Sequence, residues 1–229
     1  MAPLDMTPPL IVAIDGPSGV GKTTTSKRVA HDLQLPHIDT GAMYRAIGLA
    51  AVRRGISVHD ADALERLTAQ TTIDFVPGEP PHILLDGEDV TSLIRTPEIS
   101  MAASHVSAVP AVRRALVRLQ QELGRRNGGV LEGRDIGTKV FPETPHKFFL
   151  TARPEVRAQR RYKELIAKNQ PADYDTVLAE AVQRDRQDST RADSPLTFDD
   201  SYTVIDTSDL TMDEVIARIV DRVRCSILP

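Results

Sequence analysis

The sequence predicts an α/β fold: a parallel five-stranded sheet covered by helices on both faces, with a small inserted β-containing lobe. Three observations predict it. Short apolar runs of strand length alternate with longer segments whose apolar residues recur at helical spacing, the pattern of strand–helix–strand units. Between the first such run and the first such helix stands Gly16-Pro17-Ser18-Gly19-Val20-Gly21-Lys22-Thr23, the G-x-x-x-x-G-K-T spacing of a phosphate loop in the context it requires. One stretch, 71–90, drops helical spacing for short β-like runs between proline- and glycine-rich turns.

In chain order, Leu10–Ile14 is the first strand run and Thr24–Leu33 the helix after it. Leu35-Pro36-His37-Ile38 supplies a second strand. Gly41–Arg54 reads as a helix that Thr40 can cap and Gly55 closes, and Asp60–Gln70 as another. Thr72–Val76 and His82–Leu85, set around Pro77-Gly78-Glu79-Pro80-Pro81 and the turn Asp86-Gly87, form the inserted sheet. Pro97–Ala108 and Ala111–Arg126 resume helical spacing, with Pro97 and Pro110 placed to start each helix. Asn127-Gly128-Gly129 turns into the brief buried strand Val130-Leu131, and Lys147–Thr151 is a clearer one. Pro154 opens an Arg-rich helix to about Lys168, Tyr174–Gln187 is the next, and Tyr202–Asp206 is the last strand. Thr211-Met212-Asp213-Glu214 is a capping box for a closing helix to Arg224.

Composition narrows the function. The 229 residues, 41% apolar and 26% charged, suffice to bury a full core. A net charge of −4 argues against a bulk nucleic-acid binder, which would carry a basic excess. The one cysteine, Cys225, excludes an intramolecular disulfide and a cysteine-based zinc site. No apolar stretch reaches membrane-spanning length, and Met1–Pro9 lacks the apolar segment of a secretion signal. A cytoplasmic protein without a membrane or nucleic-acid partner is expected.

The phosphate loop sets the chemistry. Its glycines let successive N–H groups point inward at the positive end of a helix, making an anion nest from Gly16 to Thr24. Lys22 can reach the β/γ-phosphates, and the Thr23 hydroxyl can join a Mg²⁺ shell. The guanine-reading N-K-x-D, a following D-x-x-G and L-S-G-G-Q are all absent, which argues against a GTPase or a transporter subunit. Five polar clusters then look like a second binding site. Asp39–Arg45 begins a helix just after a strand. Glu132-Gly133-Arg134-Asp135 sits at a strand's carboxyl end, where ligands of open α/β sheets gather. Arg157 and Arg161 lie four apart on one helix, sharing a face with Arg160 nearby. Arg184, Asp188 and Arg191 recur four then three apart. Ser104 and Arg113 stand out only in company. A solvated charged face accounts for any one of these alone.

Together they make the chain resemble the bacterial cytidylate kinases, a family of nucleoside monophosphate kinases. The likeness is carried by Ile14-Asp15-Gly16-Pro17-Ser18-Gly19, Asp39-Thr40-Gly41-Ala42-Met43-Tyr44-Arg45, Asp86-Gly87-Glu88-Asp89-Val90, Ile94-Arg95, Gly133-Arg134-Asp135-Ile136-Gly137-Thr138 and the Arg184–Arg191 stripe with Ser194-Pro195-Leu196. It runs from about residue 9 to the C-terminal helix. The resemblance implies a single domain with a P-loop NTPase core (about 9–38, 109–153 and 172–229), a nucleotide-monophosphate-binding lobe (about 39–108) and an Arg-rich lid (about 154–171). It implies γ-phosphoryl transfer from ATP, with Mg²⁺, to CMP or dCMP. By the same resemblance, Arg45 and Arg134 hold the acceptor phosphate beside Thr40 and Tyr44. Ser104, Arg113, Asp135 and Arg191 read cytosine, Arg184 and Asp188 hold the ribose, and Arg157 and Arg161 belong to the lid. Lys22, Arg134, Arg157 and Arg161 form the expected catalytic set, acting in a monomer. Many relatives have Ser in place of Thr40 and Asp in place of Glu132; both swaps keep the functional group, and the longer Glu132 is assigned to the substrate site at its edge.

Two alternatives stay open on the residues alone. One is a uridylate, adenylate or shikimate-type kinase on the same core. The other is an ATP-dependent regulatory module, against which a second anion site argues.

Overall fold

The computed structural model describes residues 9–76, 78 and 81–227. The expected Pro77–Pro81 turn, apart from Gly78 and Pro81, and the N-terminal reading up to Pro8 lie outside them. The chain forms two compact units, one up to Ile38 and from Glu122 onward, the other Asp39–Gln121.

The first unit is built on β1 (Ile11–Asp15), β2 (His37–Asp39), β6 (Gly129–Gly133), β7 (His146–Thr151) and β8 (Thr203–Asp206), ordered β2-β6-β1-β7-β8. β1 runs parallel to β6 and β7, and β7 parallel to β8. β1 is buried along its whole length, which is why Ile-Val-Ala-Ile reads as a continuous apolar run rather than an alternating one. On one sheet face Val12, Ile14, Val130, Phe148, Leu150 and Ile205 pack against Val29 and Ala30 of α1 (Lys22–Leu33) and Val215, Ile216, Ile219, Val220 and Val223 of α8 (Met212–Ile227). Each such Val, Ile or Leu contributes roughly 1.5–3 kcal/mol by leaving water. On the opposite face Ile11 meets Gly124 near the end of α5 (Pro110–Asn127), where a Cβ would force the Phe141 ring to shift.

Local signals explain most boundaries. The capping box at α8 is formed: Thr211 N–H donates to Glu214 Oε2 at 2.7 Å, and Glu214 N–H to Thr211 Oγ1 at 3.3 Å. α1 ends on Gln34 in the left-handed region (φ 55°), with Leu35 N–H donating to Ala30 O at 2.8 Å. α6 (Pro154–Ala167) and α7 (Tyr174–Thr190) pack together, α7 running three residues past its expected end. A turn wound at π spacing, Ile136–Val140, follows β6 and has no sequence signature. Register matters most for function. Asp15 pairs with Gly133, so the phosphate loop and the Gly133-Arg134-Asp135 segment leave neighbouring strands at the same carboxyl edge.

The second unit holds α2 (Thr40–Arg53), α3 (Ala61–Ala69), the antiparallel β3 (Ile73–Val76), β4 (His82–Leu85) and β5 (Glu88–Asp89), α4 (Pro97–Val106) and the first part of α5. Asp86 and Gly87, both at positive φ, make the tight β4–β5 turn that the Asp-Gly pair predicts. The expected cap of α2 needs correction. Asp39, not Thr40, is the N-cap, its Oδ1 accepting from Ala42 N–H at 3.0 Å. β2 passes into α2 without a linker, so the carboxylate one residue earlier reaches the third helical N–H, and Thr40 is already helical and buried.

Candidate active site

The phosphate loop joins β1 to α1, and its backbone demands the glycines. Gly16 has φ 148°, and a Cβ there would run into the Leu150 carbonyl oxygen. Gly21 is the N-cap of α1 at φ 92°, in the left-handed region, and supplies no side-chain acceptor. The first-turn N–H groups of α1 therefore point at the loop, as an anion site requires. Lys22 is buried, and its Nζ donates to Gly16 O at 2.8 Å and Pro17 O at 2.6 Å. Burial and then the Arg134 guanidinium push its ammonium well below the ordinary lysine range, against Glu132, Asp188 and Asp15. Of the remaining loop residues, Ser18 lends its carbonyl to Arg157, Val20 is in the core, Gly19 packs on Arg157, and Thr24 is exposed.

Glu132, on β6, is 4% exposed and accepts from the Thr23 hydroxyl at 2.9 Å through Oε2. These two hard oxygen donors, side by side at the start of α1, suit a Mg²⁺ whose remaining positions are filled by phosphate and water. His37 Nε2 stands 3.1 Å from the other carboxylate oxygen.

Arg134 is held from two sides: Nε donates to Asp188 Oδ2 at 2.7 Å and Nη1 to Gly133 O at 3.3 Å. Asp188 also meets Arg191 Nη1 at 3.5 Å, and Arg191 Nε donates to Ser194 O at 2.6 Å. Burial raises the Asp188 carboxyl, but the charges of Arg134, Arg191 and Arg184 and the Arg134 hydrogen bond hold it below the ordinary range. The expected stripe thus meets at Asp188, although Arg191 lies just past the helix as its C-cap. Asp135 is buried at the turn after β6. Beneath it Asp15, fully buried, accepts from Ile136 N–H and Gly137 N–H, both at 2.9 Å, and from Tyr202 OH at 2.8 Å. Burial pushes its carboxyl up to about 6 despite those bonds, and Asp135 adds to the rise.

The two arginines expected in the lid differ in their surroundings. Arg157 is 3% exposed, bidentate to Asp185 at 3.0 and 2.5 Å and bonded to Ala152 O and Ser18 O. Arg161 is half-exposed and pairs with Glu164 at 2.9 Å. The two lie four apart on one helix, as expected, but their surroundings differ: α7 packs on α6 where Arg157 pairs with Asp185, while Arg161, one turn on, is left to solvent.

In the second unit Arg113, 2% exposed, lies 5.4 Å over the Tyr44 ring and donates to Ser107 O. Asp39 Oδ2 accepts from Arg95 at 3.0 Å and stands 3.8 Å from Arg45. Thr40 is buried, and Ser104 lends its carbonyl to the Ser107 hydroxyl. The unit gathers Tyr44 with Arg113 and Arg45 with Arg95, two pairings that spacing could not forecast. Asp15, His37, Asp185 and Arg95 are the contributors missed as site residues. Asp15 had one usable signal, a charge ending an otherwise apolar strand. Among the described residues no helix is long and apolar enough to cross a membrane.

Known proteins resemble this chain in fold and in sequence. A solved structure of an uncharacterized protein from Eubacterium ventriosum superposes with a TM-score of 0.54 at 11% identity, covering 94% of this chain and 98% of that one, a likeness of fold alone. A protein of Syntrophotalea carbinolica named cytidylate kinase is 49% identical over 212 residues, 92% of this chain and 90% of that one. A Synechococcus protein named bifunctional pantoate ligase/cytidylate kinase is 49% identical over 214 residues, 92% of this chain and 40% of that one. The family described as cytidylate kinase matches residues 12–225, and with the phosphate loop and the Gly-Arg-Asp segment set side by side at one sheet edge, the chain belongs to the cytidylate kinase family.

Proposed function

We propose that the chain transfers the γ-phosphoryl of ATP to CMP or dCMP, giving CDP or dCDP and ADP. The observation that carries this is the register of β1 and β6, which sets the phosphate loop with Lys22 and the Gly133-Arg134-Asp135 segment side by side at one carboxyl edge. A nucleotide-hydrolysing switch needs one anion site, whereas phosphoryl transfer between two nucleotides needs two.

The chemistry then follows from the acceptor. A CMP phosphate oxygen is already ionised, so no general base is needed, and the task is to offset repulsion between two polyanions. Gly16 to Thr24 cradle the ATP phosphates, with Lys22 on their β/γ oxygens. Thr23 and Glu132 would hold Mg²⁺, which would supply positive charge against the nucleotide phosphates. Arg45 and Arg134 bind the acceptor phosphate beside Thr40 and Tyr44, guanidinium geometry suiting bidentate phosphate. Ser104, Arg113, Asp135 and Arg191 read cytosine, and Arg184 and Asp188 the ribose. Arg157 and Arg161 belong to a lid, about 154–171, that excludes water from the γ-phosphoryl; the acceptor lobe is about 39–108. Uracil would set a carbonyl against the Asp135 carboxylate and be rejected. The same reading has a single chain acting on free nucleotides in the cytoplasm.

The test is ADP release from ATP, coupled to a spectroscopic readout, with and without CMP. Release that depends on CMP supports transfer. Equal release without CMP overturns it, and UMP or AMP outrunning CMP moves the substrate to another nucleotide.

A further inference from the structure

The sheet brings one side chain to the Thr23–Glu132 pair that no motif contains. His37 lies on β2, its side chain 8% exposed. Its Nε2 stands 3.1 Å from Glu132 Oε1, while Thr23 Oγ1 donates to Glu132 Oε2 at 2.9 Å. The carboxylate is therefore gripped on both oxygens, from β2 on one side and α1 on the other. The terminal torsion of a glutamate is broad and roughly two-fold, so a buried carboxylate with a donor on one oxygen alone can turn its plane. A second donor from a neighbouring strand removes that freedom.

The ring's other nitrogen fixes which proton it carries. His37 Nδ1 is buried and has no hydrogen-bond partner among the described residues. A proton there would be stranded, and a bare Nε2 would set its lone pair against the carboxylate oxygen. The neutral ring protonated on Nε2 satisfies the contact and strands nothing but an acceptor lone pair.

We propose that His37 is a positioning residue for the cation-facing carboxylate: its Nε2–H pins Glu132 Oε1, keeping Oε2 turned to the Thr23 hydroxyl and to the divalent cation of the nucleotide complex. The proposal rests on the reading of Thr23 and Glu132 as the cation-facing pair. His37 itself touches no substrate. Outer partners of metal-ligating groups act in this way, by fixing the orientation of the ligand.

The test has one arm on the unliganded protein and one on cation binding. In the native chain without nucleotide, nitrogen–proton correlation spectra of the histidine side chains should show His37 as the Nε2–H tautomer; an Nδ1–H tautomer overturns the proposal. For cation binding, free Mn²⁺ is followed by electron paramagnetic resonance as it is titrated into the chain with ADP. His37→Leu should weaken Mn²⁺ binding about ten- to a hundredfold, the usual effect of losing an outer partner, and leave the KM for CMP unchanged. His37→Gln, whose amide nitrogen reaches the same oxygen, should restore most of the loss, which packing alone would not predict. Should His37→Leu not fold, His37→Asn, too short to reach Glu132, takes its place with the same expectation. Native Mn²⁺ affinity in His37→Leu alongside a loss in Glu132→Gln overturns the role of His37 alone. Native affinity in Glu132→Gln removes the cation reading and this proposal with it.

Discussion

Asp15 is the most exacting place to test the electrostatics of the first unit. Its carboxyl is 0% exposed, accepts three hydrogen bonds, and is still pushed up to about 6 from an ordinary 3.8. Removal from water therefore outweighs the donors. Between pH ~4 and ~6 the folded chain keeps a proton that the unfolded chain has released, so stability falls as pH rises through that window. Above it the ionised carboxylate costs about 3 kcal/mol relative to the acid limit, at ~1.4 kcal/mol per pH unit of separation. Asp15→Asn keeps the shape and one acceptor oxygen but turns an amide N–H₂ toward a backbone donor or Tyr202, a pH-independent penalty of about 1–3 kcal/mol. Urea unfolding of both proteins from pH 4 to pH 7.5 isolates the effect, because every other group titrates in both. The native chain should be the more stable at pH 4, and its advantage should shrink by about 2.4 kcal/mol, closing or reversing, by pH 7.5. A difference constant across that range would mean that the Ile136, Gly137 and Tyr202 donors fully compensate burial, and the argument from desolvation would be wrong.

Lys22→Ala should lower turnover on the order of 10²–10⁴-fold, since a transition-state phosphate contact is lost. Near-native CMP-dependent ADP release would remove the phosphate loop from the mechanism. Arg45→Ala and Arg134→Ala should each raise the KM for CMP more than that for ATP, by about 1.5–3 kcal/mol for a charge-assisted bond, with Arg134→Ala also destabilising because Asp188 loses its 2.7 Å partner. ATP binding impaired with CMP binding intact would exchange the two sites. Asp135→Asn should narrow the preference for CMP over UMP in kcat/KM by offering uracil an amide donor; an unchanged ratio in a folded variant would put base choice on Arg191 and Ser104.

The fold was legible wherever a local signal and the global arrangement agree. The Gly-Lys-Thr loop, the Thr211–Glu214 box, the prolines that open α4, α5 and α6, and the apolar runs of β1 and β7 each state their element within a few residues. Legibility failed where a charge hides in an element. β6 extends over Gly129–Gly133 although only Val130-Leu131 reads as strand, because Glu132 is buried by partners remote in sequence. The two-residue β5 is too short for any period, and the π-spaced turn at Ile136 is imposed by Asp15, which captures two successive N–H groups 121 and 122 positions away. At the site, residue types and most positions could be named in advance, but not their partners. Arg157 and Arg161 are identical by spacing and opposite in surroundings, and only the packing of α7 on α6 decides which one is buried.

That contrast bears on how the first unit carries its charge. A guanidinium that must meet phosphate cannot simply be buried, because an unpaired buried cation costs several kcal/mol. Left in water, it would lose rotamer freedom at the moment of binding. Here carboxylates take up the intermediate position. Asp188 accepts from Arg134 through Nε and approaches Arg191, and Asp185 takes both terminal nitrogens of Arg157. The two cases differ in what they leave over. Arg134 spends Nε and Nη1 on Asp188 and Gly133, so its Nη2 donors remain for an incoming anion. Arg157 spends Nε on Ala152 O and both Nη groups on Asp185, with Ser18 O besides, so it is committed to tying α6 and α7 to the phosphate loop. Arg157 keeps a single Nη2–H beyond these four bonds, whereas Arg134 keeps both hydrogens of Nη2. Of the two arginines, Arg134 is the one with the larger share of its donors left for an anion, which agrees with the acceptor-binding role proposed for it.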